Sequence, residues 1–179
     1  TDALSHGTHV TGILVAENNE IGMVGICPKA KVMPIKVLDD QGNGNINSVA
    51  QGIRWAADHG CDIITMSLGT PMKVEPVRES IIYAAKKGVV TFVSAGNAGK
   101  TKELFYPANY PETISVGAVD VNFKRADFSN TGENLDFMGP GVDIFSTVPE
   151  NWYATLHGTS MATPFVVGVA ALVLSYVKK

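Results

Sequence analysis

Charge is scarce in this chain of 179 residues: Asp, Glu, Lys and Arg together make up 17% of it. Basic residues are not in excess, with 14 Lys and Arg against 17 Asp and Glu and a formal net charge of −3. Nucleic-acid-binding domains gather Lys and Arg on one face, so that class of function is disfavoured. The two cysteines are too few for a disulfide-stapled scaffold. No apolar run reaches membrane-spanning length, which is about 17–25 residues. The run Phe165–Leu174 (FVVGVAALVL) stops at ten, lies between Thr163-Pro164 and Ser175, and reads as a buried helix with no membrane partner. A basic, then apolar leader pattern is missing from the start, and no repeat or low-complexity tract follows. What is abundant is apolar residues at 45%, with 18 Gly and 9 Pro. That balance excludes disorder and predicts one domain of short elements joined by tight turns.

The apolar pattern alternates between two periods. Val32–Leu38 (VMPIKVL), Asp62–Leu68 (DIITMSL), Val89–Ala95 (VVTFVSA) and Thr113–Val119 (TISVGAV) read as buried strands. Between them, Ile46–His59 carries apolar residues at gaps of three and four, and Gly60 stops it. Glu75–Lys87 reads as a second helix with Ile81, Ile82 and Ala85 inward, and Gly88 after it. Strands apolar throughout and separated by helices predict an α/β fold with a mostly parallel sheet covered on both faces. Ligands then bind at the carboxyl ends of the strands, in the loops after Leu38, Leu68 and Ala95. Cys27 and Cys61 each precede an early strand, and two buried thiols are the simpler expectation over a disulfide. His59 suits a helix end, and Trp55 and Trp152 are read as core and loop packing.

Three short motifs are rich in chemistry. Ser5-His6-Gly7-Thr8-His9-Val10 offers two histidines three apart. They suit a structural role, a base, or a metal pair, although no Cys, Asp or Glu completes a ligand set at the usual spacing. Ser94-Ala95-Gly96-Asn97 reads as a turn, or as a side-chain amide donor at the sheet edge. His157-Gly158-Thr159-Ser160-Met161-Ala162-Thr163-Pro164 leads into the apolar helix. A Ser or Thr there caps a helix, and a nucleophile there would sit among free backbone N–H groups.

Taken together and in order, HGTHVTG, SLG, SAGN and GTSMATP resemble the subtilisin-like serine peptidases, over His6 to about Tyr176. The resemblance implies a three-layer α/β fold and a serine endopeptidase acting on extended polypeptides. It implies Ser160 as nucleophile, His6 as general base, and Asn97 with the Ser160 N–H as oxyanion hole. His9, by the same matching, packs and makes a backbone hydrogen bond. Gly42-Asn43-Gly44 and Ser67-Leu68-Gly69 resemble the segments that sandwich the substrate strand. Ser94, Ala95 and Gly96 would line the pocket for the residue before the cut, with Phe105 near its floor. Glu17-Asn18-Asn19-Glu20-Ile21-Gly22-Met23 resembles the family's calcium loop. The Asn19 side chain and the carbonyls of Glu17, Ile21 and Met23 are the implied ligands of a structural Ca2+. A propeptide or protein inhibitor is an implied partner, and an extracellular location is favoured over a cytoplasmic one.

The departures from the family carry expectations too. The family's triad acid lies on a strand well before its histidine motif, and five residues precede His6. Asp2 is in the wrong context to replace it. The chain is therefore expected to be a partial domain, with the Asp-bearing segment and the closing C-terminal elements missing. Phe165 stands where a histidine is common and is expected to alter packing only. Two other functions compete: a catalytically inactive homologue or fragment kept as a binding module, and an acyl hydrolase of small esters.

Overall fold

A computed structural model describes residues 2–100 and 102–177. The elements run α1 (His6–Val15), α2 (Ile46–Asp58), β1 (Ile63–Met66), α3 (Glu75–Lys86), β2 (Val90–Ser94), β3 (Ile114–Val119), β4 (Phe137–Pro140), β5 (Ile144–Val148), β6 (Trp152–Leu156) and α4 (Thr159–Val177). Four strands form a parallel sheet in the order β1-β2-β3-β4, and β5 with β6 forms an antiparallel hairpin.

The sheet is covered on both sides because β2 is apolar on both. Val93 faces a core built by Val49, Ile53 and Ala57 of α2 with Val77, Ile81 and Ala84 of α3. Phe92, its neighbour, faces the opposite core of Leu14, Val116, Ala118, Ala162 and Val167. Alternation along the strand thus assigns α2 and α3 to one layer and α1 and α4 to the other. The expected three-layer α/β fold with a parallel sheet is present. Local chemistry sets the helix ends: the Asn45 side chain accepts the Asn47 N–H at 2.8 Å to start α2. At its end His59 takes up the Trp55 carbonyl through Nδ1 at 2.8 Å and stacks on the Trp55 ring.

Several expectations need correction. Val32–Leu38 joins no sheet; Leu38 makes one isolated bridge, to Gly44. Ile35 and Val37 bury against α2 instead. An apolar run reports burial, whereas a strand also needs a paired neighbour, and Pro34 removes a donor. On α3 the inward face is Val77, Ile81 and Ala84, and Ala85 is exposed. The helix begun at Thr159 buries only its first half: Val169 and Val173 are 56% and 58% exposed. By length and composition α4 is long and apolar enough to cross a membrane, but Met161, Ala162 and Val167 are packed in the protein core. Both cysteines are free thiols; Cys27 is buried, but Cys61 is only partly so and lies 4.0 Å from the Met33 sulfur. Trp55 and Trp152 are both largely exposed rather than core. Strand β4 and the β5–β6 hairpin were not legible as periodic runs, since FMGP and WYATL alternate poorly.

Candidate active site

Ser160 is the second residue of α4, at the helix start facing the carboxyl ends of β1 and β2. Pro164 sits four residues on, so the N–H that would bond to the Ser160 carbonyl does not exist. The Ser67 hydroxyl takes that place, donating to Ser160 O at 2.9 Å. In return the Ser160 hydroxyl is 3.5 Å from the Ser67 carbonyl. Gly158, just before the helix, has φ +153 and donates its N–H to Gly141 O at 2.8 Å. A side chain there would strain the backbone, and a Cβ would rest 3.4 Å from the Asn97 amide nitrogen.

Asn97 follows β2 and is exposed. Its Oδ1 accepts the Thr159 N–H at 2.9 Å and the Thr159 hydroxyl at 2.8 Å. A backbone N–H can only donate, so the partner atom is the oxygen, and the Asn97 NH2 is left facing the Gly158–Ser160 turn. The Ser160 N–H belongs to that same turn, among the groups a helix start leaves without an intrahelical partner. Thr159 is fully buried and also receives the Gly96 N–H at 3.3 Å. Ser67, Gly96, Asn97 and Ser160 are therefore brought together around one helix start.

His6 opens α1 on the same side of the sheet as α4, and the two helices pack together. The Asp2 carboxylate accepts the Thr8 N–H at 2.6 Å and so caps this helix start. Burial pushes the His6 pKa below its ordinary value; Asp2 pulls it back up and His9 lowers it further. Asp2 is itself held below the usual carboxylate range, because its bonds to Thr8 and Gly7 and the charge of His6 outweigh the opposing effect of burial. Among the described residues no hydrogen bond joins His6 to Ser160. His9 is fully buried, and its Nε2 lies 3.1 Å from Ile144 O and 3.0 Å from Ala154 O. Two carbonyls can only accept, so Nε2 carries the proton, and burial keeps this ring below the ordinary histidine pKa. That matches the packing role expected for it.

The remaining expected residues fall in two places. Gly69 and Gly96 flank Phe105: a Cβ on Gly69 would be 3.3 Å from the Phe105 Cβ, and one on Gly96 2.8 Å from its ring. Phe105 is pinned there by its own N–H to Ala95 O at 3.0 Å and by the Thr70–Tyr106 backbone pair. Ser94 and Ala95 are buried beneath it, and Leu68 packs against the α2–α3 core. Gly42, Asn43 and Gly44 form an exposed turn closed by Asp39, whose carboxylate accepts the Gln41 and Asn43 N–H groups at 3.0 and 2.8 Å. Gly42 has φ +82 and lies against Leu4, just ahead of His6.

The loop from Glu17 to Met23 is a separate turn against the β5–β6 hairpin, where Gly22 abuts the Tyr153 ring. Asn19 Oδ1 accepts the Ile21 N–H at 3.1 Å, and its Nδ2 lies 3.5 Å from a Glu17 carboxylate oxygen. With the carbonyls of Glu17, Ile21 and Met23 the loop offers oxygen chemistry suited to a hard cation. It falls short of the six to eight oxygens that calcium takes. Three roles were not legible beforehand: Asp2 as a helix cap, Thr159 as the anchor of Asn97, and Asn130 beneath the Asn97 loop. Each is a common turn or cap residue whose partner no local pattern marks.

The arrangement is a parallel α/β sheet with a serine at a helix start beyond its carboxyl edge and an amide held beside that serine. The chain belongs to the subtilase family: the Subtilase family profile (Peptidase S8) matches residues 1–179. It is 46% identical to Subtilisin E of Bacillus subtilis (strain 168) over 177 residues, 97% of this chain and 46% of that protein. It is 44% identical to Subtilisin DY of Bacillus licheniformis over 178 residues, 98% of this chain and 65% of that protein. The solved structure of Sphericase superimposes with a TM-score of 0.89 at 34% identity, covering 96% of this chain and 63% of that one. The chain thus spans about half to two-thirds the length of the relatives it matches.

Proposed function

We propose that the full-length protein is a serine endopeptidase that cuts extended polypeptides through an acyl-enzyme. The observation that carries this is the Asn97 side chain, whose oxygen is tied to Thr159 so that its NH2 faces the Ser160 turn. In the reaction the Ser160 hydroxyl attacks the substrate carbonyl carbon and His6 takes its proton. The carbonyl oxygen becomes an anion, held by the Asn97 NH2 and the Ser160 N–H, which donate without moving. His6 then passes the proton to the leaving amine, and water repeats the cycle on the ester. A His6 held below its ordinary pKa is neutral, and so a competent base, at neutral pH.

The substrate strand would lie between Ser67-Leu68-Gly69 and Gly42-Asn43-Gly44, its main chain bonded to both. Phe105 stands between Gly69 and Gly96, so the side chain before the cut meets an aromatic ring and small residues are preferred. Glu17, Asn19, Ile21 and Met23 would supply part of a structural Ca2+ site, completed by oxygens from elsewhere in the protein. Calcium would tie that loop down without entering the reaction. A propeptide or protein inhibitor would occupy the same strand-binding groove, and an extracellular location goes with this reading.

Labelling by a fluorophosphonate tests the proposal. Ser160 is expected to be labelled in the full-length protein, and Ser160→Ala to abolish both labelling and peptide hydrolysis. A folded full-length protein whose Ser160 never reacts would sink the peptidase reading and leave the second one, a binding module. That reading has one observation in its favour: the Ser160 hydroxyl faces Ser67 O rather than His6.

A further inference from the structure

Asn130 takes no part in any motif assigned above, yet it is fully buried directly beneath the Asn97 loop. Its Oδ1 accepts two backbone N–H groups of that loop, from Ala98 and from Lys100, both at 3.0 Å. Its own backbone N–H donates to Gly96 O at 2.9 Å. Its neighbours add two more bonds, Gly99 N–H to Phe128 O and Lys100 O from Thr131 N–H, each 2.8 Å. The loop 96–100 is therefore pinned from below on both sides of Asn97.

The side-chain nitrogen of Asn130 has no hydrogen-bond partner among the described residues. It is packed behind Gly96, where a Cβ would come within 2.5 Å of it. A buried NH2 without an acceptor is unfavourable. The amide is held in this place by what its oxygen does, since that oxygen binds two N–H groups at once. An apolar side chain would leave both without a partner, and an aspartate would bring a charge into a fully buried position. The loop above has glycine at Gly96 with φ +105 and at Gly99 with φ +66, so its own backbone supplies little stiffness.

We infer that Asn130 is a positioning residue for the oxyanion hole: it fixes the loop 96–100 so that the Asn97 NH2 meets the carbonyl attacked by Ser160. This rests on the peptidase reading of Asn97. Donors of this kind work only when they are already aimed at the oxyanion, about 2.7–3.1 Å from it. Asn97 is anchored at its tip by Thr159, and Asn130 supplies the matching anchor for the backbone that bears it.

The test uses the full-length protein carrying Asn130→Ala or Asn130→Leu, the second filling the same volume without the acceptor. Folding is checked by thermal unfolding, and the Leu variant decides where the Ala variant does not fold. The expected result is a kcat lower by about 10- to 100-fold, with KM nearly unchanged. In an Asn97→Ala background the same substitution is expected to cost almost nothing further in kcat. An unchanged kcat, or an equal loss in both backgrounds, overturns the inference. Amide hydrogen exchange at Ala98 and Lys100 reads the anchor without any activity. It is expected to speed up more than about 10-fold in Asn130→Leu, and unaltered exchange would overturn the inference too. A wild-type protein never labelled at Ser160 would count against the peptidase reading, whereas the exchange result bears on the anchor alone.

Discussion

The two halves of the site are held in different ways. Around Ser160 and Asn97 the bonds are long-range and converge from three directions: Ser67 after β1, Gly96 after β2 and Thr159 at the start of α4. Around His6 the cap is local, but the residues just after it are held from far along the chain, by Ser146 donating to His9 O and Thr147 donating to Thr8 O. Asp2 caps the first turn of α1 six residues ahead of Thr8, and Ser5 at the cap position has φ 61 and makes no side-chain cap bond. One half has long-range bonds on the site residues themselves. The other is a helix end capped by a nearby carboxylate and tied to the β5–β6 hairpin through Thr8 and His9. The difference teaches that distant parts of the chain fix Ser160 and Asn97 directly, and reach His6 only through the residues that follow it.

The sharpest way to break this contrast is Asn97→Ala. It is expected to lower kcat by about 10²–10³ with little change in KM, a range that belongs to a subtilisin that has lost its oxyanion amide. Steady-state kinetics on a peptide amide checks it, and a loss expressed mainly in KM would contradict the role given to the Asn97 half. Next in size is Ile81→Ala, in the fully buried core between α3 and β2. It is expected to cost about 2–5 kcal/mol of stability in denaturant titration, with the rate of Ser160 labelling unaltered while the protein remains folded.

A smaller effect is expected from Phe105→Ala, which removes the ring between Gly69 and Gly96. A peptide library should show the preference before the cut moving from small toward large apolar residues, by about 10-fold. Equal cleavage after large and small residues in the wild type would contradict that placement. The smallest effect concerns the His6 half. Asp2 raises the His6 pKa, so Asp2→Asn is expected to lower it further. Neutral His6 would then persist to lower pH, and the acid limb of the kcat/KM profile would move down. Movement of that limb upward would show that Asp2 acts on His6 through something other than its charge.

Much of this was readable from the chain. The period of Ile46–His59 and the apolar runs around Ile64, Val93 and Val116 gave the layers, because burial on both faces leaves no alternation to confuse. The order of HGTHVTG, SAGN and GTSMATP led to His6, Asn97 and Ser160. What stayed hidden depends on partners rather than pattern. Val32–Leu38 looks like a strand in isolation and is not one, since β1 at the sheet edge pairs only with β2. Asn130 in Phe128-Ser129-Asn130-Thr131-Gly132 has the composition of an ordinary turn, and its purpose is visible only when Ala98 and Lys100 are seen above it. Asp2 was set aside as a triad acid, and its capping of α1 came from the fold.

The two carbonyls that hold His9 have a consequence for how the molecule is made. They lie 135 and 145 residues further along the chain. During synthesis α1 emerges well before the β5–β6 hairpin, and its buried imidazole has neither carbonyl until that hairpin has left the ribosome. Closing so long a loop before any contact rewards it slows folding, as does a parallel sheet built only from crossovers. Chains paused before Ile144 could already pack Leu14 of α1 against Phe92, Val116 and Ala118, but would carry a His9 imidazole with neither of its carbonyls.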